Sequence, residues 1–444
     1  MERYDSYKDS GAEWIGEIPE GWKNHKLLYA LSMPVTDGPH ETPTFYQEGI
    51  PFVSADAVKG GQIVFSRMRG YISYEYHLQC AKKYSPELGD ILMIKSGATT
   101  GQLAFVDFDD IIFDIWSPLA AIRTNRKHVA KYLFYALSAD YFQKQVEDAW
   151  SFGTQQNLSM RKLEQLIVVF PSDKSQEKAI ADYLDHKTSQ IDSLIVKTER
   201  AIELLGEYRK SVISEVVTKG LDPNVAMKDS GVEWIGEIPE GWRVLSLKWV
   251  LGKPLQYGAN ESGVPYEISL PRYIRITDID EKGTLKSENA KSLPEQIAED
   301  YILNDGDVLF ARSGATVGKA FLYRNSMGKS AFAGYLIRVC PNKEQLHSKY
   351  LLYWTQSVQY ENWKMSIYSI ATIQNIGAEK YSQLPLVMPS IETQSKIVIY
   401  LDQKTAEIDS LIEKKKQVVE KLQEYRKSLI SECVTGKIKV PGVE

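Results

Sequence analysis

The chain has 444 residues, of which 43% are hydrophobic and 25% are charged, and its formal net charge at pH 7 is −5. A chain of this length exceeds what one compact core usually holds, so the sequence predicts two domains. The acidic balance does not favour a protein that binds DNA unaided, because such proteins usually carry a surplus of basic residues.

Cysteine content and hydropathy narrow the class further. The three cysteines, Cys80, Cys340 and Cys433, lie far apart in the sequence, which excludes a disulfide framework and a cysteine-rich metal site. No apolar run approaches the roughly 20 residues that a membrane helix needs, and the first residues lack the apolar core of a signal peptide. We therefore expect a cytoplasmic protein that is not associated with a membrane.

A segment near the start of the chain returns almost unchanged in its middle. Residues 8–22, KDSGAEWIGEIPEGW, recur at 228–242 with one difference, Ala12 against Val232. Further stretches match at nearly the same spacing, whereas residues 23–87 and 243–304 show little likeness. A chain made of two copies predicts a pseudo-symmetric object, which suits a ligand with two-fold symmetry such as duplex DNA.

The repeat sets the predicted domain organisation. We expect a globular domain at residues 1–172, a long helix at 173–220, a second globular domain at 221–390 and a second long helix at 391–444. The tryptophan-rich repeated segment predicts an anchor that packs against its own domain or the helices. Short apolar runs at 91–94, 103–106 and 166–170 predict strands, as do their counterparts at 308–310, 320–323 and 384–388, while 127–150 and 344–365 have helical spacing.

The two long helices have a coiled-coil pattern. Residues 175–218 contain no proline, and hydrophobic residues recur there in heptads, as they do in the second copy. About 44 residues would span roughly 65 Å at 1.5 Å per residue. We expect the two helices to pack on each other in antiparallel orientation; a parallel homodimeric zipper is the alternative packing.

A glycine-rich motif lies between the first two predicted strands of each copy. The second copy, Gly314-Ala-Thr-Val-Gly318-Lys319, resembles a phosphate-binding loop, but one residue is missing between the glycines and Ala320 replaces the magnesium-binding hydroxyl. The first copy has Gln102 in place of the lysine. An NTPase is therefore excluded, and the motif predicts a tight strand-to-strand turn that could also touch a phosphate.

The histidines and carboxylates form no pattern that predicts catalysis. The six histidines are scattered, and no His-Glu-x-x-His or Cys-x-x-Cys motif is present. We find no glycine-rich S-adenosylmethionine loop and no amino-methylation motif. The sequence therefore predicts a protein that is not an enzyme and holds neither a cofactor nor a metal.

Taken with these motifs, the arrangement resembles the DNA specificity (S) subunit of a type I restriction–modification system. The resemblance covers essentially the whole chain and includes the Ile-Pro-x-Gly-Trp segments, the two Ser-Gly-Ala-Thr-x-Gly turns and the Pro-Ser openings at Pro171 and Pro389. It implies an α+β fold with two mixed α/β target recognition domains, related by pseudo-two-fold symmetry and separated by two long antiparallel coiled-coil helices. Each domain would read one half of a bipartite DNA sequence.

The resemblance also implies partners. The paired helices would set the unread spacer and dock two methyltransferase subunits, which would carry S-adenosylmethionine and methylate adenine. Two ATP-dependent restriction/translocase subunits would complete the restriction complex. The helix length predicts that one extra helical turn, about 5.4 Å, would lengthen the spacer by one or two base pairs.

Candidate DNA contacts are arginines, lysines and amides, the side chains that favour phosphates and base edges. The divergent segments offer Arg67, Arg69, Lys82, Lys83, Arg272, Arg275, Lys282 and Lys286. Because both copies keep a basic residue and a threonine at the turn, contacts to the DNA backbone are assigned to Lys95, Thr99, Arg312 and Thr316. Amides that either cap structure or touch DNA are Gln156, Asn157, Gln374 and Asn375.

Two other classes of protein remain as alternatives. A non-catalytic coiled-coil scaffold that presents two adaptor domains and does not bind DNA is slightly favoured by the acidic balance. A sugar-binding protein is suggested by 26 tyrosines and 9 tryptophans, but the long helices argue against it.

Overall fold

The computed structural model describes residues 2–150, 157–280, 283–314, 316–368 and 375–442. The chain divides into unit 1, residues 1–198 with 417–444, and unit 2, residues 199–416. Both units combine strands, short helices and part of each long helix, which confirms the predicted mixed helix-and-strand fold with two domains. No helix among the described residues combines the length and apolar character needed to cross a membrane.

Most of the α-helices are short, and two are long. In chain order they are α1 (Tyr74–Ala81), α2 (Ala130–Ser138), α3 (Asp140–Ala149), α4 (Met160–Gln165), α5 (Lys174–Lys219), α6 (Glu295–Ala298), α7 (Ser348–Trp354), α8 (Val358–Tyr368), α9 (Ala378–Ser382) and α10 (Ile391–Val434). The long helices α5 and α10 are those that the heptad pattern predicted.

The strands of unit 1 precede α5. They are β1 (Tyr7–Asp9), β2 (Glu17–Pro19), β3 (Lys23–Lys26), β4 (Thr36–Asp37), β5 (Ile50–Val53), β6 (Val58–Lys59), β7 (Gln62–Ile63), β8 (Gly70–Ile72), β9 (Ile91–Ile94), β10 (Leu103–Phe105), β11 (Asp114–Ile115), β12 (Leu119–Ile122) and β13 (Ile167–Phe170).

The strands of unit 2 lie between the long helices. They are β14 (Met227–Asp229), β15 (Glu237–Pro239), β16 (Arg243–Ser246), β17 (Leu251–Tyr257), β18 (Val264–Pro265), β19 (Arg272–Ile274), β20 (Lys291–Ser292), β21 (Val308–Ala311), β22 (Ala320–Leu322), β23 (Ser330–Phe332), β24 (Leu336–Pro341) and β25 (Pro385–Met388).

A four-stranded antiparallel sheet forms the framework of each unit. Its order is β10-β9-β12-β4 in unit 1 and β22-β21-β24-β17 in unit 2. The central strands β9 and β21 are buried throughout because they are covered on both faces. In β9, Ile91 and Met93 join one hydrophobic cluster and Leu92 and Ile94 another, as the two-residue period of a strand requires.

The segments that differ in sequence also differ in structure. Between β4 and β9, unit 1 forms β5 to β8 and α1, and β5 pairs with β8 and with β11. Between β17 and β21, unit 2 forms β18 to β20 and α6, and its second sheet has the order β18-β20-β19-β23. The shared framework therefore carries a different insert in each unit.

Within unit 1, the two long helices run antiparallel. The Tyr132 hydroxyl contacts the carbonyl oxygens of Val169, shortly before α5, and of Val434, at the end of α10, at 2.9 and 3.2 Å. Earlier in α10, the Arg426 guanidinium reaches Asp192, farther along α5, at 2.8 Å. Earlier residues of α10 therefore lie beside later residues of α5, as antiparallel helices require.

Unit 2 repeats this arrangement with the helices exchanged. The Tyr350 hydroxyl contacts the carbonyl oxygens of Val387, just before α10, and Val217, near the end of α5, at 2.8 and 2.9 Å. Arg209 on α5 pairs with Asp409 on α10 at 2.9 Å. Each unit thus shows the predicted antiparallel pairing between the two helices of one chain.

The repeated tryptophan-rich segment packs as an anchor. In unit 1, Ile15, Ile18 and Trp22 are buried in the same cluster as the last turns of α10. In unit 2, Ile235 and Ile238 are buried with the last turns of α5. The prediction that this segment packs against its own domain or the helices is confirmed, since each cluster contains residues of both.

Candidate nucleic-acid interface

The described residues of each Ser-Gly-Ala-Thr motif lie in a hairpin turn, as predicted; Ala315 is outside them. In unit 1 it joins β9 to β10, and the Gly101 amide donates to the Ile94 carbonyl at 2.8 Å. In unit 2 it joins β21 to β22, and Gly318 donates to Ala311 at 2.9 Å. Both glycines have positive φ, 95° and 84°, a conformation that disfavours any residue with a Cβ.

Asn157 and Asn375 lie beside these turns. Asn157 forms an isolated β-bridge with Ser96, and Asn375 forms the matching bridge with Ser313. Asn157 and Asn375 are both exposed. The structure therefore brings each asparagine to the turn of its own unit; Gln156, Gln374 and Lys282 lie outside the described residues.

Lys83 and Lys95 come together in unit 1 around one buried carboxylate. The Asp37 side chain accepts from Lys83 Nζ at 2.5 Å and lies 3.3 Å from Lys95 Nζ and 3.2 Å from His40 Nε2. Burial of Asp37 raises its pKa, but hydrogen bonds and charge from Lys83 and Lys95 outweigh that effect and hold the pKa below its ordinary value. Asp37 is therefore an ion-pair centre at neutral pH.

The remaining basic candidates of unit 1 are exposed. Arg67 and Arg69 lie just before β8, and the Arg69 guanidinium contacts Asp56 at 3.3 Å and stands 4.8 Å from the Trp116 ring centroid. Lys82 follows the last residue of α1. Thr99 is exposed on the hairpin turn. These four residues do not converge on Asp37.

In unit 2, the Arg275 side chain pairs with Asp278, and contacts to backbone atoms link Arg272 and Lys286 to the same segment. Arg275 donates to both Asp278 carboxylate oxygens, at 3.0 and 2.7 Å, and to the Asn289 carbonyl at 2.7 Å. The Arg275 pKa is raised, mainly because of its hydrogen bonds to Asp278. Arg272 donates to the Lys286 carbonyl, and the Lys286 amide donates to the Asp278 carbonyl. Contacts within the protein therefore hold Arg272, Arg275 and Lys286 in place.

The Arg312 side chain lies against an aromatic ring. It follows β21, and its guanidinium stands 4.8 Å from the ring centroid of Tyr257, at the end of β17. Thr316 lies half-buried on the same turn. The sequence did not point to Asp37 or Tyr257, because the contacts join residues far apart in the chain and lie in segments without likeness between the copies.

A cavity of about 170 Å³ opens beside Asp37 in unit 1. Its lining includes Asp114, which accepts from the His77 ring at 2.7 Å, and Cys80, whose pKa burial raises to about 11. A thiol with such a pKa stays protonated at neutral pH and is a poor nucleophile or metal ligand. Among the described residues, no group of three or more His, Cys, Asp or Glu side chains is placed to hold a metal ion.

Sequence comparison identifies relatives over both halves of the chain. A family model described as type I restriction modification DNA specificity domain matches residues 39–204 and 265–421. The putative type I restriction enzyme MjaX specificity subunit of Methanocaldococcus jannaschii is 24% identical over 441 residues, 96% of each chain. The MjaVIII specificity subunit of the same organism is 26% identical over 368 residues, 80% of each chain. The EcoKI specificity subunit of Escherichia coli is 18% identical and covers 95% of this chain and 90% of its own.

Solved structures share the fold. A chain from a structure on complex assembly and conformational transition of the type I R-M system superposes with a TM-score of 0.72 at 16% identity, covering 95% of this chain and 99% of the other. The HsdS subunit from Thermoanaerobacter tengcongensis gives a TM-score of 0.50 at 16% identity, covering 95% and 98%.

Proposed function

The chain belongs to the type I restriction modification DNA specificity family, and on that premise we propose that it is the non-catalytic DNA-recognition subunit of a methyltransferase and restriction complex. Each unit reads one half of a bipartite target, and the long helices set the spacer and dock methyltransferase subunits. S-adenosylmethionine and ATP are held by the partner subunits. Because the target is genomic DNA, we place the protein in the cytoplasm.

One observation carries this proposal: a single framework is built twice with two different inserts. The four-stranded sheet, its hairpin turn and the helix contacts of Tyr132 and Tyr350 recur in both units. The inserts at residues 38–87 and 258–304 have different strands and helices. Sequence in DNA is read by side chains at base edges, so two different half-sites need two different contact surfaces on a common support.

The direct test is to map methylated adenines in DNA from cells that express this chain with its methyltransferase. We expect methylation at one bipartite sequence, and no methylation there when this chain is omitted. With purified proteins, fluorescence anisotropy should show weak DNA binding by the chain alone and tight, sequence-dependent binding with the methyltransferase. If DNA has no effect in either case, the coiled-coil scaffold becomes the better interpretation.

Each unit offers one matched pair of exposed apolar side chains on its helices for a methyltransferase subunit. These are Leu194 and Tyr425 in unit 1, and Leu411 and Tyr208 in unit 2, all about half exposed. Each tyrosine directly precedes the arginine that pairs with the opposite helix, so its backbone is held in place. Exposed tyrosines on rigid elements are typical anchors of protein interfaces.

We expect Leu194→Ser with Tyr425→Ser to remove one of two methyltransferase subunits. Loss of an interface anchor costs about 2 kcal/mol or more, which weakens affinity roughly 30-fold. Native mass spectrometry would then report one methyltransferase per chain, and none when Leu411→Ser and Tyr208→Ser are added. Leu88→Ser, at an equally exposed leucine outside the helices, is the control; unchanged stoichiometry in the fourfold variant would place docking elsewhere.

A further inference from the structure

Lys95 and Arg312 occupy the same backbone position in the two units. Each follows the last residue of the central strand, and its amide donates to the neighbouring loop, Lys95 to Pro118 at 2.8 Å and Arg312 to Tyr335 at 3.0 Å. Each carbonyl accepts from the segment after the amide loop, at 2.8 Å in both units. A difference in the role of the two side chains must therefore come from their surroundings.

The residue facing them on the edge strand differs. Asp37 on β4 pairs with Ala120, which pairs with Met93, and Tyr257 on β17 pairs with Ile337, which pairs with Phe310. Asp37 and Tyr257 thus hold the same place in the framework sheet. Each precedes a glycine, Gly38 or Gly258, at which a Cβ would meet a backbone oxygen within 2.5 Å. The two units therefore share the backbone framework at this position but differ in its side chain, Asp37 in unit 1 and Tyr257 in unit 2.

In unit 1 the charged Lys95 side chain forms an ion pair inside the protein. Its side chain is only 12% exposed, and its ammonium lies 3.3 Å from Asp37, a carboxylate that is 2% exposed. Removing a cation from a buried carboxylate is costly, so Lys95 is held at Asp37 rather than free to reach a ligand. Lys83 is the second cation of the same ion-pair centre, and His40 Nε2 lies 3.2 Å from Asp37.

In unit 2 the charged Arg312 side chain has no such ion pair with a described residue. Its guanidinium lies over the Tyr257 ring, and no carboxylate within 4 Å of it is found among the described residues. Its Nε is buried and makes no hydrogen bond to any described residue. The face of an aromatic ring attracts a cation but accepts none of the in-plane N–H hydrogen bonds of a guanidinium.

The ring beneath Arg312 is itself fixed. The Tyr257 hydroxyl accepts from the Ala378 amide at 2.9 Å, at the start of α9. Tyr257 is 42% exposed and Tyr335, across the turn, is 63% exposed. Arg312 is therefore a positioned cation with unfilled donors at an exposed aromatic site.

We propose that Arg312 binds a pair of acceptor atoms on the target DNA, whereas Lys95 acts only as an internal ion-pair partner. The acceptors are the O6 and N7 of a guanine in the half-site that unit 2 reads, or two oxygens of a phosphate, because both present the spacing that a guanidinium fork matches. The inference rests on the proposed function. It also reverses the expectation that the two matched turn residues share one role.

The test uses the complex with methyltransferase and a duplex carrying the mapped target. Arg312→Ala should weaken binding about 5- to 150-fold, the equivalent of one bidentate contact. Arg312→Lys, which keeps the charge and loses the fork, should restore little of that affinity, and Tyr257→Leu should weaken binding while Tyr257→Phe weakens it less. Lys95→Met should change DNA affinity less than threefold but speed hydrogen exchange in β4 and β12, because Asp37 loses a partner.

Experiments with different DNA duplexes distinguish a guanine acceptor from a phosphate acceptor. A guanine contact predicts that 7-deazaguanine at one position weakens binding of the unsubstituted complex and has no effect on Arg312→Ala. A phosphate contact predicts a uniform loss on all targets and a salt dependence reduced by about one charge. Unchanged binding by Arg312→Ala, with its thermal unfolding midpoint intact, overturns the inference, as does an equal loss in Lys95→Met. Failure of the unsubstituted complex to bind its target would instead count against the proposed function.

Discussion

Asp90→Asn is expected to destabilise unit 1 by about 3 to 5 kcal/mol, because it breaks a buried ion pair and leaves one partner behind. Asp90 is 1% exposed and accepts from Tyr84 at 2.6 Å, from the Glu87 amide at 2.8 Å and from Arg123 at 2.7 Å with two nitrogens. The hydrogen bonds to Asp90 are the main reason that the Arg123 pKa is raised. Arg123 nevertheless remains charged after the substitution, because a guanidinium is protonated at neutral pH even without a carboxylate partner. The variant therefore keeps a partly buried cation whose remaining carboxylate partner, Glu87 at 2.8 Å, is exposed to solvent.

Unit 2 supplies the matched control, Asp307→Asn. Asp307 holds the equivalent position before the central strand and accepts from the Asn304 amide at 2.8 Å. Where unit 1 has Arg123, unit 2 has Cys340, whose pKa burial raises to about 12, so the thiol is neutral. Among the described residues, no cation within 4 Å pairs with Asp307, so Asp307→Asn breaks no ion pair there. Its cost should lie near the roughly 1.5–3 kcal/mol of a hydrogen bond to a charged group.

Hydrogen exchange followed by mass spectrometry would separate the two effects, because it reports the opening free energy of each peptide. Asp90→Asn should lower protection in β9 and β12 and leave β21 and β24 unchanged. Asp307→Asn should do the reverse and by a smaller amount. Equal losses for the two variants would show that the Arg123 ion pair does not stabilise unit 1.

Residue spacing predicted the parts of the fold that depend on local pattern. The buried runs at 91–94 and 308–310 became the central strands β9 and β21, and the heptads at 175–218 became α5. The two glycines of each turn gave the hairpin, since a positive φ is open to glycine at little cost. Each of these elements depends on residues that are close together in the chain.

The sequence could not predict what distant residues do to one another. Lys95 and Arg312 look alike along the chain, and only the pairing of β4 and β17 with the framework sheet places Asp37 beside one and Tyr257 beside the other. The inserts could not be predicted either, because their strands are two to four residues long and carry no clear period. Arg275 is an exception: its partner Asp278 lies three residues away and could have been found from the sequence.

Lengthening both long helices is expected to move methylation to targets with a longer spacer. Four residues inserted after Thr198 in α5 and four after Lys416 in α10 add about 6 Å, because a helix rises 1.5 Å per residue. That length corresponds to about two base pairs at 3.4 Å each. The insertion turns the helix about 40° beyond a full turn, and two base pairs turn the duplex by roughly 70°. Because the two rotations do not match, we expect methylation at the new target to be weaker than at the original.

A second insertion makes the test quantitative. Seven residues in each helix keep the heptad register, add about 10.5 Å and should lengthen the spacer by about three base pairs. The spacer should therefore grow by about one base pair for every two to three residues inserted. Insertion into α5 alone is the control. It moves Arg209 away from Asp192 along α5, while the spacing of their partners Asp409 and Arg426 on α10 is unchanged. The two ion pairs can then no longer form together, and methylation should be abolished. An unchanged spacer in both paired insertions would mean that the helices do not determine the distance between half-sites, and the spacing would have to be assigned to the methyltransferase subunits.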